Sequence, residues 1–215
     1  MASPLANRQY GKIESQWFVE PAWAVEALLD VERFSGVVYD PAAGSGTIPG
    51  VLCGRGYRAT CSDLVDRGNG IVGGADFLTM PERERVDNIV SNPPYDQAEA
   101  FVRKALLIAR YKVAFILRLS FLESRRRREM FERTPLARVW VFSDRVSMPP
   151  GGRPDIEAKG GSVAYAWFVW DHDHRGPPAL GWLSKPPPGA APGHPAASSP
   201  PTASAGPVPA GAPFS

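Results

Sequence analysis

A short loop-forming stretch carries the side chains best suited to chemistry in this sequence. Ser91, Asn92, Pro93, Pro94 and Tyr95 directly follow an apolar run at residues 86–90 that is typical of a buried strand. Neither proline can donate an N–H, so the prolines end the strand pairing and stiffen the loop. An amide oxygen and fixed carbonyls can accept the hydrogens of a planar NH2 group, on which an exposed Tyr95 ring can stack. The stretch predicts a substrate-binding loop at the carboxyl edge of a sheet; the alternative is an ordinary turn with a surface tyrosine.

A glycine-containing loop follows an earlier short strand at residues 37–39. Asp40 ends this strand, and Gly44 and Gly46 stand two positions apart just before a helical segment. Glycines at this spacing allow a tight turn and a close approach of the backbone to a ligand, and the start of a helix offers free N–H groups. Pro49 stands where a third glycine would complete the dinucleotide fingerprint, so the pattern disfavours a dinucleotide.

Two further acidic residues belong to the loops that follow. Asp63 closes the strand predicted at residues 57–62, and it is placed to accept hydrogen bonds from both hydroxyls of a ribose. Asp76 lies in a third loop, where it could accept from an exocyclic amine while Phe77 or Leu78 packs against an adenine. The alternative for Asp76 is a loop aspartate that caps a turn.

An aromatic segment precedes the first predicted helix. Trp17 and Phe18 come just before Pro21, which suits the first turn of a helix whose apolar residues are at positions 24, 25, 28 and 29. At least one of Trp17, Phe18 and Trp23 is expected in the core. A tryptophan before a proline-started helix could also form a wall against a flat ligand.

The remaining predicted elements continue the alternation of helices and strands. A helix at residues 96–110 is followed by a buried strand at 113–117 and a basic helix at 123–133. Strands at 137–142 and 162–170 follow each other without an intervening helix, which predicts an antiparallel pair at the sheet edge.

Basic residues are concentrated in one part of the chain, although the net charge is only +2. Between residues 103 and 133 there are ten Lys and Arg against three Glu, and Arg125 to Arg128 are consecutive. A run of charged residues usually forms a solvent-exposed face without a ligand. This run, with its four consecutive arginines, instead predicts a phosphate-binding patch. Arg118 and Arg153 are further candidates for nucleic-acid contacts, and Arg153 lies in a Gly- and Pro-rich segment, residues 143–161, that suits a substrate-facing loop.

The chain length of 215 residues fits one domain with an appendage. We expect a loosely ordered start at residues 1–12, a folded domain at 13–183 and a disordered Pro-, Ala- and Gly-rich tail at 184–215. Cys53 and Cys61 lack metal-ligand spacing, so we expect reduced, mostly buried thiols and no metal site. No apolar run approaches membrane-spanning length, and the protein is expected in the cytoplasm.

Taken together, four features resemble the S-adenosylmethionine-dependent amino-methyltransferases, in particular small phage-type N6-adenine DNA methyltransferases. These features are the Asp40–Gly46 loop, Asp63, Asp76 and the Asn92–Tyr95 loop. The likeness spans roughly residues 16–183. It implies a Rossmann-like class I methyltransferase fold, an α/β domain with a seven-stranded, mostly parallel sheet, an antiparallel last strand and helices on both faces. The predicted strands are consistent with that sheet.

The resemblance also implies a cofactor, S-adenosyl-L-methionine, and roles for individual residues. The catalytic loop would be Asn92, Pro93, Pro94 and Tyr95. The cofactor-binding set would be Trp17, Phe18, Pro21, Asp40, Ala42, Gly44, Gly46, Asp63, Leu64, Asp76, Phe77 and Asn92. The nucleic-acid contacts would be Arg118, Arg125, Arg126, Arg127, Arg128 and Arg153. Where the family often has Thr before the proline of the amino-terminal segment, this chain has Glu20.

The implied reaction is methyl transfer to the N6 amine of adenine in DNA, in a bacterial or phage-infected cell, with the target base flipped out of the duplex. Sequence-specific members carry a sizeable target-recognition domain for which this chain has no room. We therefore expect weak or short sequence preference, unless a partner protein supplies it. The alternatives are an RNA adenine methyltransferase, a protein glutamine methyltransferase and an inactive fold that binds nucleic acid. No membrane partner is expected.

Overall fold

The computed structural model describes residues 17–149, 151 and 163–187. The predicted loose segment at residues 1–12, Arg153 and residues 188–215 of the predicted tail lie outside the described residues. Residues 184–187 are described and belong to no helix or strand.

Strands and helices alternate along most of the described residues. The strands are β1 (Val37–Asp40), β2 (Arg58–Cys61), β3 (Val86–Ser91), β4 (Ala109–Arg118), β5 (Leu136–Phe142), β6 (Tyr165–Asp171) and β7 (Ala179–Leu183). The α-helices are α1 (Ala22–Val31), α2 (Thr47–Gly54), α3 (Ala98–Ile108) and α4 (Arg125–Arg133), and short 3₁₀ helices form at Phe77–Thr79 and Leu119–Leu122. Among the described residues, no helix has both the length and the apolarity needed to cross a membrane.

The strands form one seven-stranded sheet in the order β2-β1-β3-β4-β6-β5-β7. β6 runs antiparallel to its neighbours β4 and β5, and every other neighbouring pair is parallel. The prediction of a mostly parallel seven-stranded sheet is confirmed. The antiparallel strand is the sixth rather than the last, because β7 adds a parallel edge strand beside β5. The predicted antiparallel pair of β5 and β6 therefore lies inside the sheet and not at its edge.

Helices cover both faces of the sheet, as predicted. In β4, Ala114 and Ile116 belong to the apolar cluster that contains α1 and α2. Val113, Phe115 and Leu117 belong to the second cluster, which contains α3 and α4. Successive strand side chains point to opposite faces, so a strand covered on both sides must be apolar at every position. This is why the central strands are continuous apolar runs in the sequence.

The prediction that the two cysteines are mostly buried is wrong. Cys53 is exposed and Cys61 is only partly buried, and both are free thiols. The buried residues of α2 are Ile48 and Leu52, so Cys53, one position after Leu52, is turned away from the core.

α1 is anchored to the sheet by apolar packing and by one buried hydrogen bond. Leu28 is fully buried, and the indole Nε1 of Trp167 in β6 donates to the Ala24 carbonyl at 2.8 Å. Pro21 is the residue that caps the helix start, in an extended conformation. Anchoring α1 therefore also fixes where the preceding aromatic segment lies.

A buried ion-pair network joins the end of α1 to three strands. Glu32 is 2% exposed and accepts hydrogen bonds from Lys112 Nζ at 3.0 Å, from Trp140 Nε1 at 3.0 Å and from Arg138. Asp171 at the end of β6 accepts a second bond from Arg138 at 3.1 Å. The two cations and two carboxylates compensate each other, so removing one member leaves a partly buried charge unpaired.

We expect Glu32→Gln to lower the free energy of unfolding by about 3 kcal/mol, because it removes the central anion of this network. Glu132→Gln is the matched control, since Glu132 pairs with Arg128 at the surface and is 58% exposed. The control should change stability by less than about 1 kcal/mol. Urea unfolding followed by circular dichroism measures both, and equal losses in the two variants would contradict the prediction.

Candidate active site

Polar side chains stand at the carboxyl ends of four neighbouring parallel strands. In the sheet order β2, β1, β3, β4 these are Asp63, Asp40, Asn92 and Arg118. Parallel strands end at the same edge, where open α/β sheets bind ligands. A cleft of about 780 Å³ opens there, and Asp63, Asn92 and Arg118 line it.

The cleft brings together most of the residues predicted from the sequence. Its lining includes Trp17, Phe18, Ala42, Asp63, Leu64, Asp76, Phe77, Asn92, Pro94, Tyr95, Arg118 and Arg127. The predicted residues outside the lining are Pro21, Asp40, Gly44, Gly46, Pro93, Arg125, Arg126 and Arg128. The sequence analysis missed the polar lining residues Arg67, Asp96, Gln97 and Ser120. Asp96 and Gln97 directly follow the Asn-Pro-Pro-Tyr loop, and this position is the signal that could have identified them.

The amide of Asn92 is held in one orientation by the amino-terminal segment. Its Nδ2 donates to the Phe18 carbonyl and to Glu20 Oε2, each at 2.9 Å. Both partners are acceptors when Glu20 is ionised, so the nitrogen must face them. The amide oxygen is thereby turned away from this segment and left for a ligand in the cleft. The sequence analysis missed this contact of Glu20; an acidic residue directly before the apolar helix α1 was its only sign.

The two prolines give the loop its shape. Pro93 is buried and Pro94 is partly exposed. The Pro94 carbonyl accepts a hydrogen bond from Gln97 N at 3.0 Å, which turns the chain into α3. None of the described residues donates to the Pro93 carbonyl, so it retains its capacity as an acceptor.

The Tyr95 ring is partly buried, and the prediction of an exposed ring is wrong. Phe18 stacks on it at 5.6 Å between ring centroids, and the Arg118 guanidinium lies 4.8 Å from the Tyr95 centroid. The hydroxyl donates to Met148 Sδ at 3.0 Å. Burial raises the pKa of Tyr95 well above its ordinary value, so the phenol stays protonated. A planar ligand on this ring must share it with its present neighbours or displace one of them.

Buried carboxyl groups stand beside the cleft without full compensation. Glu20 and Asp40 are 5% and 1% exposed. Burial raises the pKa of Glu20 to about 7 and that of Asp40 to about 8, and the charges of Glu20 and Asp63 contribute to the second shift. Ser91 Oγ donates to Asp40 Oδ1 at 2.6 Å, but Asp40 Oδ2 is buried with no partner among the described residues. Such an arrangement favours a cationic ligand.

The glycine loop makes the predicted tight turn. Gly44 has φ +51° and Gly46 has φ +85°, both in the left-handed region that favours glycine, and Gly46 caps the start of α2. A Cβ on Gly44 would lie 2.7 Å from the Trp17 ring. Trp17 therefore covers this turn, and the two glycines do not reach the cleft surface.

Asp63 supports the glycine loop as well as lining the cleft. Its Oδ2 accepts from Gly44 N at 2.8 Å, and its Oδ1 accepts from Val65 N at 2.9 Å. Arg67 pairs with Asp63 at 3.4 Å, and its guanidinium stacks 4.1 Å from the Trp17 ring centroid. A four-residue spacing from Asp63 was the only hint of Arg67 in the sequence.

Asp76 both caps a turn and lines the cleft. Its Oδ1 accepts from Leu78 N at 2.9 Å at the start of the 3₁₀ helix, which is the structural role given as its alternative. The side chain is exposed, so it can also meet a ligand. Phe77 is 3% exposed and packs against Tyr39 and Phe101, so it forms the floor of the cleft.

Arg127 is engaged in supporting the cleft wall. Its Nε donates to the Phe121 carbonyl at 2.7 Å, and its Nη2 donates to the carbonyls of Ser120 at 3.2 Å and Glu123 at 3.0 Å. These bonds satisfy carbonyls of the 3₁₀ turn that follows β4. The primary contacts of Arg127 are therefore with its own chain.

The other three consecutive arginines of α4 are exposed. Arg126 pairs with Glu99 of α3 at 2.7 Å, and Arg128 pairs with Glu132 at 2.6 Å. Arg125 has no hydrogen bond or ion pair with the described residues. Exposed pairs of this kind contribute little and can exchange for phosphate, so the phosphate-binding patch stays a prediction.

Asp40→Asn should change how stability depends on pH. With its pKa raised to about 8, folded Asp40 binds its proton more tightly than the unfolded chain does, so stability falls as pH rises from about 4 to 8. The asparagine variant removes this loss, and its stability relative to wild type should rise by up to about 1.4 kcal/mol per pH unit between about pH 6 and 8.

Thermal unfolding at a series of pH values measures this difference. Asp30→Asn, on the exposed side of α1, controls for the substitution itself. Parallel pH profiles for wild type and Asp40→Asn would contradict the raised pKa.

No family model matches the sequence, and no curated protein is similar to it in sequence. Its structure is similar to one described as a modification subunit of a type I restriction enzyme from Vibrio vulnificus, with a TM-score of 0.55. The two sequences are 14% identical, and the match covers 83% of this chain and 49% of that chain. The methyltransferase subunit of a type I restriction-modification system from Streptococcus thermophilus matches with TM-score 0.54 and 13% identity over 77% of this chain and 47% of that chain.

A structure described as a class I S-adenosylmethionine-dependent methyltransferase from Listeria monocytogenes matches with TM-score 0.51 and 10% identity, over 76% of this chain and 63% of that chain. The chain spans about half the length of the two restriction-system subunits. At these identities the likeness concerns the fold alone. The chain has the Rossmann-like fold of the class I methyltransferases.

Proposed function

We propose that this protein transfers a methyl group from S-adenosylmethionine to the N6 amine of adenine in DNA, with weak or short sequence preference. The observation that supports this most is the orientation of Asn92. Its Nδ2 is bound by Phe18 and Glu20, which leaves its amide oxygen as an acceptor for an amine in the cleft. The choice of adenine and of DNA rests on the resemblance of the loops to the N6-adenine DNA methyltransferases.

The acidic groups beside the cleft fit this cofactor. Bound S-adenosylmethionine would bring two positive charges, on its sulfonium and its ammonium, and would supply an electrophilic methyl group. The unpartnered Oδ2 of Asp40 and the raised pKa values of Asp40 and Glu20 indicate carboxyl groups that lack a nearby cation and that a bound cation would help to ionise. Asp63 Oδ1 already accepts from Val65 N and Arg67, but Oδ2 accepts only from Gly44 N and so retains a lone pair for a ribose hydroxyl. Trp17, Phe18, Ala42, Leu64, Asp76 and Phe77 would form the rest of the pocket.

The chain's own residues would position the target amine. Asn92 Oδ1 and the Pro93 carbonyl would accept its two hydrogens, which makes the nitrogen more nucleophilic and aims its lone pair away from both oxygens. The S–CH3 bond would break as the N–CH3 bond forms, S-adenosylhomocysteine would leave, and the methylated amine would then lose one proton to water. Catalysis would come from positioning and electrostatics, so the transfer step needs no general base.

The base would enter beside Tyr95. Flipping an adenine out of a duplex costs a few kcal/mol, and stacking on an aromatic ring recovers part of this. Arg118 lies over the Tyr95 ring, and its Nε is buried without a partner among the described residues. We propose that the base takes the place of Arg118 on the ring and that Arg118 and Arg125 then contact phosphates.

Three alternatives predict different products. An RNA adenine methyltransferase would label RNA, and a protein glutamine methyltransferase would label a protein extract. An inactive fold would bind nucleic acid without any transfer. Asn92 and the buried acids favour an active enzyme, because a pure binding module has no need for an oriented amide beside unpaired carboxyl groups.

The test is methyl transfer from labelled S-adenosylmethionine to duplex DNA, single-stranded DNA, RNA and protein extract, with mass spectrometry of the product. We expect N6-methyladenine in DNA. Asn92→Ala should lower the rate by roughly 100-fold or more, because it removes an acceptor aimed at the reacting nitrogen. Circular dichroism and thermal unfolding are the controls for folding, because Asn92 itself belongs to the predicted cofactor-binding set. Label in RNA or protein alone, or a wild-type rate in Asn92→Ala, would contradict the proposal.

Sequence preference is tested by mapping every methylated adenine on a long DNA. We expect methylation in many contexts or at very short sites. The described residues offer few groups to read base edges: beyond Tyr95 in the sequence, the polar side chains that line the cleft are Asp96, Gln97, Arg118, Ser120 and Arg127. A strict site of five or more base pairs, produced by the purified chain alone, would contradict weak preference. A site that appears only with a second protein would identify a specificity partner.

A further inference from the structure

Glu20 occupies an unusual place for a carboxylate. It lies directly before Pro21 at the start of α1, is only 5% exposed and has no cationic side chain within salt-bridge distance among the described residues. Its Oε2 instead accepts a hydrogen bond from the Asn92 amide at 2.9 Å. A buried carboxylate without a cation is costly for the folded protein, so its retention calls for a role.

The contact restricts what the Asn92 side chain can do. Asn92 Nδ2 faces two oxygens, Glu20 Oε2 and the Phe18 carbonyl, at 2.9 Å each. Turning the amide over would bring Oδ1 against both acceptors, and an ionised carboxylate has no hydrogen to offer it. The flipped amide would be repelled on both sides. The amide nitrogen would then face the cleft, where it could not accept from an amine.

We propose that Glu20 is a positioning residue that, acting through Asn92, keeps the amide oxygen directed at the target amine; this rests on the proposed function. Glu20 touches neither the reacting nitrogen nor the methyl group in this scheme. Its contribution is to raise the fraction of molecules in which Asn92 can accept a hydrogen bond from the substrate.

Protonation of Glu20 would weaken the preference for this orientation of the Asn92 amide. Protonated Glu20 carries an O–H that can donate to Asn92 Oδ1, so only the Phe18 carbonyl still opposes the flipped amide. Burial raises the pKa of Glu20 to about 7, while hydrogen bonds from Asn92, its own backbone and Thr47 oppose the shift. The charge of Glu20 in turn raises the pKa of two ionisable groups on neighbouring elements. These are Asp40 at the end of β1 and Tyr95 in the loop after β3.

The decisive measurement does not depend on activity. In wild-type protein, the NMR signals of the Asn92 side-chain amide should titrate with a midpoint near pH 7, following Glu20. In Glu20→Gln this titration should disappear. Glu26→Gln, on α1 and paired with Arg55, is the matched control and should keep the wild-type titration. Asn92 amide signals that do not move between about pH 5.5 and 8.5 in wild type would overturn the proposal.

Kinetics give the second readout. Above pH 8, Glu20→Gln should lower kcat about tenfold, while KM for S-adenosylmethionine changes little. The substituted side chain can donate to Asn92 Oδ1, so only the Phe18 carbonyl then opposes the flipped amide. The wild-type kcat/KM for S-adenosylmethionine, which reports groups of the ligand-free enzyme, should fall as pH drops through about 7, and the variant should lose that limb of the profile. An unchanged kcat and pH profile in a folded Glu20→Gln protein would overturn the positioning role. Absence of methyl transfer by wild type to any substrate would overturn the proposed function, while the NMR titration would still decide the contact between Glu20 and Asn92.

Discussion

Parallel pairing of β1, β2, β3 and β4 is the constraint on which the site depends. It brings the carboxyl ends of four strands to one edge, so residues distant in sequence, from Asp40 to Arg118, stand beside one cleft. The helices on both faces exclude water from the sheet and leave this edge open to ligands. Antiparallel β6 completes the sheet beside β4 without altering that edge.

The site carries a local cost that the rest of the fold must offset. Glu20 and Asp40 are buried without cations, and their raised pKa values mean that the folded state penalises their ionised forms. Elsewhere in the protein the buried carboxylate Glu32 is paired with Lys112 and Arg138. Away from the cleft, a buried acid is thus paired with cations, whereas Glu20 and Asp40 beside the cleft are not. This difference supports a ligand-binding role for Glu20 and Asp40.

The loops of the site were predictable from sequence because glycine and proline restrict the backbone locally. Gly44 and Gly46 adopt the left-handed conformations that their type and spacing indicate, and Pro93 and Pro94 end β3 as expected. Long-range contacts were not predictable. No local pattern joins Glu20 to Asn92, which are separated by 72 positions.

The ion-pair partners of the arginines and the burial of Tyr95 were not predictable for the same reason. Four consecutive arginines indicated a phosphate patch, but which of them pair with acids depends on how α3 packs beside α4. The surroundings of Tyr95 include Met148 and Arg118, both from other elements, so its partial burial has no signature near the loop.

The central claim is that the Asn92 amide oxygen faces the target amine, and a structure with S-adenosylhomocysteine and an adenine-containing oligonucleotide tests it most directly. We expect Asn92 Oδ1 about 3 Å from the adenine N6, with Nδ2 still bound to Glu20. A base outside the cleft, or an amide nitrogen facing the base, would contradict the account.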